Sequence, residues 1–148
     1  MKSAYEVRVA IAPEAAFAFL ADVANEVQWR QSIVGSRYVG TRAPAVGVDG
    51  ETDVAMGSRS LTMRWAIVAF EPGRHVAWRL DGEPWNGGGA YTVMADGEGC
   101  RIRADLEVRL KGAARVFEPL VGLQFRKGLR TDLDRLAVLL EGDHSSPS

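Results

Sequence analysis

Apolar and polar positions alternate one by one through most of this chain. Tyr5, Val7, Val9 and Ile11 alternate with Glu6, Arg8 and Ala10, which predicts a half-buried strand. At Ala12-Pro13-Glu14 the rhythm changes, because Pro suits the first helical position and an acid suits the first turn. Phe17, Leu20 and Ala21 then share one face of a short helix, and Asp22 restarts the chain into a second one carrying Val23, Val27 and Trp29. From Ser32 onward strands return. Ile33 to Val39 is the first, followed by a loop with Pro44 and Gly47; Thr52, Val54 and Met56 form the next. Leu61, Met63, Trp65 and Ile67 alternate with Ser60, Thr62, Arg64 and Ala66, and after the turn Glu71-Pro72-Gly73-Arg74 come Val76, Trp78 and Leu80. A loop holding Pro84, Trp85 and Asn86-Gly87-Gly88-Gly89 leads to a strand with Tyr91 and Val93. Asp96-Gly97-Glu98-Gly99 reads as a tight hairpin. In the last strand Ile102, Ala104, Leu106, Val108 and Leu110 alternate with Arg101, Arg103, Asp105, Glu107 and Arg109.

The period then lengthens. Phe125, Leu129, Leu133, Leu136 and Leu140 lie on one stripe of a helix, with Arg126, Lys127, Arg130 and Asp134 opposite and an Arg130–Asp134 pair one turn apart. Gly142 stands where a helix-closing C′ residue belongs. The front of this segment, from Ala113, is less regular: Phe117, Leu120, Val121 and Leu123 wrap round the helical wheel, and Pro119 forces a start or a kink. Gly122 and Gly128 leave two places without a side chain. Such a front half either packs into the core or lids a cavity.

One strand, two short helices, six strands and a long helix make an α+β domain. Short connections favour antiparallel neighbours, and only the last helix offers enough apolar surface to cover the sheet. Residues 1–142 read as a single domain and residues 143–148 as a frayed tail. A chain of 148 residues supports a sizeable core without staples. A net charge of −1 carries no footprint for nucleic acid. The lone Cys100 excludes an internal disulfide framework and suits a reducing compartment. Glu6 and Arg8 interrupt any leader-like apolar run, and no run approaches the ~18 residues of a membrane span. These features read as a cytoplasmic protein without stable membrane insertion. Lys2, Lys111 and Lys127 are the only lysines among the 18 basic residues, an Arg bias that fits a GC-rich bacterial genome.

The order of motifs resembles the START-related helix-grip superfamily (SRPBCC), in particular its polyketide cyclase/dehydrase and lipid-transport type. The matching stretches are Ala12-Pro13-Glu14-Ala15-Ala16-Phe17, Leu20-Ala21-Asp22, Trp29, Phe70-Glu71-Pro72-Gly73-Arg74, the Asp96–Gly99 hairpin and the amphipathic C-terminal helix. Val27 departs from the pattern, since many relatives carry Pro before the Trp. The resemblance implies a seven-stranded antiparallel sheet wrapped around the last helix, two short helices after strand 1, and a cavity between sheet and helix for lipids, sterols, polyketides or other apolar molecules.

Catalytic residues are few. His75 follows a turn and His144 lies near the end, neither with a nucleophile or orienting acid at a known spacing. There is no HExxH or paired-cysteine metal motif. The triple Gly is not a dinucleotide fingerprint, because Thr92 replaces its last Gly. Asp132 and Asp134 point about 200° apart on a helix, which excludes a carboxylate pair. Cys100 reads as inert. No cofactor is implied. Candidate ligand-binding residues are richer: Met56, Met63, Trp65, Trp78 and Tyr91 on the inner sheet face, Phe117, Val121, Gln124 and Phe125 on the helix, and Trp29 and Trp85 near the mouth. Arg79, Asp81, Asn86 and Gln124 are candidate orienting polar groups. The expected function is binding of a small hydrophobic, lipid-, sterol- or polyketide-like ligand. The alternative is a polyketide cyclase/aromatase or dehydratase, and a third reading is an interaction domain. A homodimer is compatible with all three.

Overall fold

The structure is a computed structural model and describes residues 2–40, 44–81, 85–110 and 112–145. Strand β1 (Lys2–Val9) leads to helix α1 (Pro13–Ala21), a 3₁₀ turn (Val23–Asn25) and the single-turn helix α2 (Glu26–Trp29). Six strands follow: β2 (Ile33–Tyr38), β3 (Asp49–Met56), β4 (Arg59–Glu71), β5 (His75–Asp81), β6 (Trp85–Asp96) and β7 (Gly99–Leu110). A 3₁₀ turn (Gly112–Phe117) then enters helix α3 (Glu118–Ser145). All strand pairs are antiparallel, in the order β1-β7-β6-β5-β4-β3-β2. This is the helix-grip architecture. No described helix is long and apolar enough to cross a membrane.

The alternation explains the two faces. In β7, Cys100, Ile102, Ala104 and Leu110 are buried while Arg101, Arg103 and Arg109 are exposed. The outer face is laced with ion pairs, among them Asp96 with both Arg8 and Arg101. Exposed pairs of this kind add little to stability. The inner face meets α3, whose Leu129, Leu133, Leu136 and Leu140 are all buried in one cluster with Val9, Phe17, Val93 and Ile102.

Pro119 falls in the first turn of α3, where its missing N–H costs nothing, so the helix begins there instead of kinking. Three expectations are corrected. Gly142 does not close the helix: its φ is not positive, and α3 runs on to Ser145. Arg130 and Asp134 are joined through Tyr5 and not directly. The Tyr5 hydroxyl donates to Asp134 Oδ1 at 2.9 Å, and the Arg130 guanidinium sits 5.7 Å from the Tyr5 ring centroid. The Gly87–Gly89 run is not a loop but part of β6. A Cβ at Gly87 would collide with the Glu107 carbonyl, and one at Gly89 would lie 2.8 Å from Trp78 Cζ2. Glycine is therefore what lets this strand pass between β5 and β7.

Register breaks matter as much. Ile67 pairs with Trp78 and Ala69 with Ala77, so Val68 is the extra residue of a bulge and is exposed. The bulge turns Phe70 inward, 5.8 Å from the Phe17 ring, where unbroken alternation would point it outward.

Candidate functional site

A cavity of about 500 Å³ lies between the sheet and the front half of α3. This is within the range of small-molecule pockets. Met63, Trp65 and Ile67 from β4 and Val76, Trp78 and Leu80 from β5 form one wall. Tyr91, Leu106 and Val108 extend it, and Phe125, Gly128 and Leu129 face it from α3. Leu20, Ala21 and Val23 close one end. Ser32, Ala55 and Gly128 line the cavity and are exposed, which places its opening between α3 and the adjoining ends of β2 and β3.

The space exists because side chains are missing at particular points. A Cβ added to Gly128 would meet nothing within 4 Å. The rest of the wall is braced. Trp65 lies over Gly50, so close that a Cβ there would collide with its indole, and its Nε1 donates to Thr52 Oγ1 at 2.8 Å. Thr52 in turn bonds Ser36 through their hydroxyls at 2.9 Å. Trp78 and Tyr91 meet edge-on with centroids 4.8 Å apart, and Tyr38 meets Trp65 at 5.8 Å. The Tyr38 hydroxyl donates to the Ala21 carbonyl at 2.6 Å. Burial, with Glu26 and Asp22 nearby, pushes its pKa up to about 12.

One end of the cavity is polar. Glu26, on α2, is only 7% exposed, and its Oε2 accepts from Arg30 Nη1 at 2.9 Å. Burial works against the Arg30 charge, yet Tyr91, Glu26 and Asp132 together hold the guanidinium above its ordinary range. Burial likewise lifts the Tyr91 hydroxyl above its usual value, against the pull of Arg30. Asp132 Oδ1 accepts from the Gln31 amide at 3.3 Å, and burial raises its carboxyl despite that bond and the neighbouring Arg30.

Of the sequence candidates, Met63, Trp65, Trp78, Tyr91 and Phe125 come together round the cavity. Trp29 does not line it. It is 1% exposed and packs behind Tyr91 with centroids 5.7 Å apart, a core residue supporting the wall and not a residue of the mouth. The side chains of Met56, Trp85, Phe117, Val121, Gln124 and Asp81 lie outside the described set, as does that of His144. Arg79 and Asn86 are exposed and absent from the cavity wall; in β5 the inward turn of Trp78 and Leu80 sends Arg79 outward. Sequence reasoning missed Glu26, Arg30, Tyr38, Thr52 and Asp132. A faint signal existed: Glu26 and Arg30 stand i, i+4, and Phe125, Gly128, Leu129 and Asp132 follow i, i+3, i+4, i+7.

His75 is half-buried, its Nδ1 2.8 Å from Thr92 Oγ1, and it stands outside the cavity wall. Cys100 is buried, and that burial raises its thiol above the ordinary value. Such a thiol is a poor nucleophile at neutral pH.

Residues 1–141 match the family model for polyketide cyclase/dehydrase and lipid transport. The chain belongs to this family. It is thereby a member of the START-related helix-grip superfamily. No curated protein sequence matches it. Among solved structures it is similar to the protein TTHA0849 from Thermus thermophilus, with TM-score 0.81 and 12% identity, covering 99% of this chain and 100% of that one. A START superfamily protein from Mycobacterium smegmatis is 21% identical with TM-score 0.69, covering 96% and 95% of the two chains. The di-domain ARO/CYC BexL from the BE-7585A biosynthetic pathway is 13% identical with TM-score 0.71. The match there spans 93% of this chain and 45% of that one. At these identities the likenesses establish the shared fold.

Proposed function

We propose that this family member binds a small, ring-containing hydrophobic molecule in the cavity between its sheet and α3. The observation that carries the reading is the cavity of about 500 Å³ itself, walled by Trp65, Trp78, Tyr91 and Phe125 and polar at one end. Aromatic walls suit flat apolar rings, and a few polar groups orient them. Burying such a molecule corresponds to an affinity near micromolar, about −8 kcal/mol. The buried Cys100 and a family of polyketide and lipid proteins are compatible with a cytoplasmic setting.

A second reading, a cyclase or dehydratase acting on a polyketide-type substrate, is favoured by Asp132. Its carboxyl lines the cavity and is held above the usual range by burial, the property of a group that moves a proton.

Titrating flat multi-ring compounds while following tryptophan emission tests the first reading, because Trp65 and Trp78 form the wall. Saturable change is expected in the parent and not in Gly128→Phe, whose new side chain enters open space and leaves the fold intact. A panel of sterol-like, polyketide-like and acyl compounds that moves neither emission nor melting temperature overturns it. Product analysis of the same mixtures decides between carrier and enzyme.

A further inference from the structure

We propose that the polar end of this cavity selects its ligand by charge, taking a head group that donates hydrogen bonds and turning away a carboxylate. The proposal rests on the cavity being a binding site and narrows what enters it. Among the described residues of the wall, Glu26 and Asp132 supply two carboxylates and Arg30 the one guanidinium. Arg30 is already engaged. It donates to Glu26, stands beside the Tyr91 hydroxyl, and lies 6.0 Å from the Trp29 ring centroid.

The carboxylates, by contrast, keep spare capacity. Glu26 uses Oε2 for Arg30 and Asp132 uses Oδ1 for the Gln31 amide. Among the described residues neither Glu26 Oε1 nor Asp132 Oδ2 has a hydrogen-bond partner, although Glu26 is only 7% exposed. An acceptor left unpaired in an apolar setting is costly, so a ligand bringing a donor to that point gains what the protein lacks. An incoming anion meets two like charges and one wall cation that is already paired, while Arg135, the other guanidinium acting on Asp132, is exposed and off the wall; this juxtaposition opposes binding. The Trp78–Tyr91 wall beside these groups takes the ring. The favoured ligand is therefore an aromatic or alicyclic ring bearing a hydroxyl or an ammonium, and a fatty-acid anion is a poor fit.

Four probes of one shape separate these points: naphthalene, 2-naphthol, 2-naphthylmethylammonium and 2-naphthoate, measured by calorimetry at neutral pH. We expect 2-naphthol and the ammonium to bind at least about tenfold more tightly than 2-naphthoate. Asp132→Asn, with its folding checked by melting, should reduce that ratio to about threefold or less. The relative strength of hydroxyl and ammonium then tells hydrogen-bond donation from net charge as the source. 2-Naphthoate binding as tightly as 2-naphthol overturns the proposal, and so does an unchanged ratio in Asp132→Asn. If all four probes bind equally, the cavity reading stands and charge selection falls. If none binds, both fall.

Discussion

From Leu133 to Leu140, α3 lies on side chains that fill the space against it, whereas from Phe125 to Asp132 its inner face borders open space. One helix and one sheet thus make two interiors. At the packed end Val9, Ile102, Leu133 and Leu136 are at 0% exposure, and the short α1 adds Ala16 and Phe17. At the cavity end the helix offers Gly128 and an acid where the packed end offers leucines, and the sheet wall stands back from it. The contrast shows how this domain separates stability from binding. Tight packing at one end fixes the helix on the sheet, so the other end is free to stay unfilled.

The largest effect should come from Leu133→Asp, at the centre of the packed end. It buries an unpaired charge and removes a core side chain, and losses above about 4 kcal/mol consume most of the stability of a typical domain. Loss of the cooperative circular-dichroism melt is expected; a melting point within a few degrees of the parent would dissolve the distinction between the two ends. A paired comparison sharpens it. Leu136→Ala should cost about 2–5 kcal/mol, while Leu80→Ala on the cavity wall should cost less than half as much, since part of its surroundings is already empty. Equal losses in urea titrations would mean that both ends are packed alike.

Gly128→Ala should raise stability by about 0.5–1 kcal/mol, the ordinary gain from replacing a helical glycine where space is free. A loss instead would show that the open space is occupied.

The smallest effect concerns acid. Because burial raises the folded-state value of Asp132 above its usual one, its charge weighs against folding at neutral pH, and that burden lifts as pH falls through the folded value. Asp132→Asn, which keeps an oxygen for the Gln31 amide, should melt slightly higher than the parent at pH 7. The difference should shrink toward pH 4. Asp53 and Asp96 run the other way. Arg37 and Arg101 hold them below the usual range, so the stabilisation they give is present at neutral pH and lost as pH falls through those lowered values. A growing advantage for the variant in acid would reverse the sign assigned to Asp132.

Local patterns alone determined where the strands run, the start of β6 apart, where the Glu71–Arg74 and Asp96–Gly99 turns fall, and which stripe of α3 is gripped. Each of these depends on neighbours close in sequence: a period of two, a turn residue, a period near 3.6. The inner aromatics Trp65, Trp78 and Tyr91 were legible for the same reason. What only the tertiary structure decided involves residues brought together from distant parts of the chain. The Val68 bulge is a matter of register between two strands, and Gly87–Gly89 belong to a strand because of what Glu107 and Trp78 occupy beside them. Trp29 sits behind Tyr91 and not at a mouth because α2, a single turn, packs against both β2 and α3. The polar end joins Glu26 and Arg30 to Asp132, about a hundred positions away, and no local pattern encodes a meeting of that kind. Nor does composition say whether apolar faces meet or stand apart. That depends on how far the packed end holds the helix from the sheet, a distance set by the whole core at once.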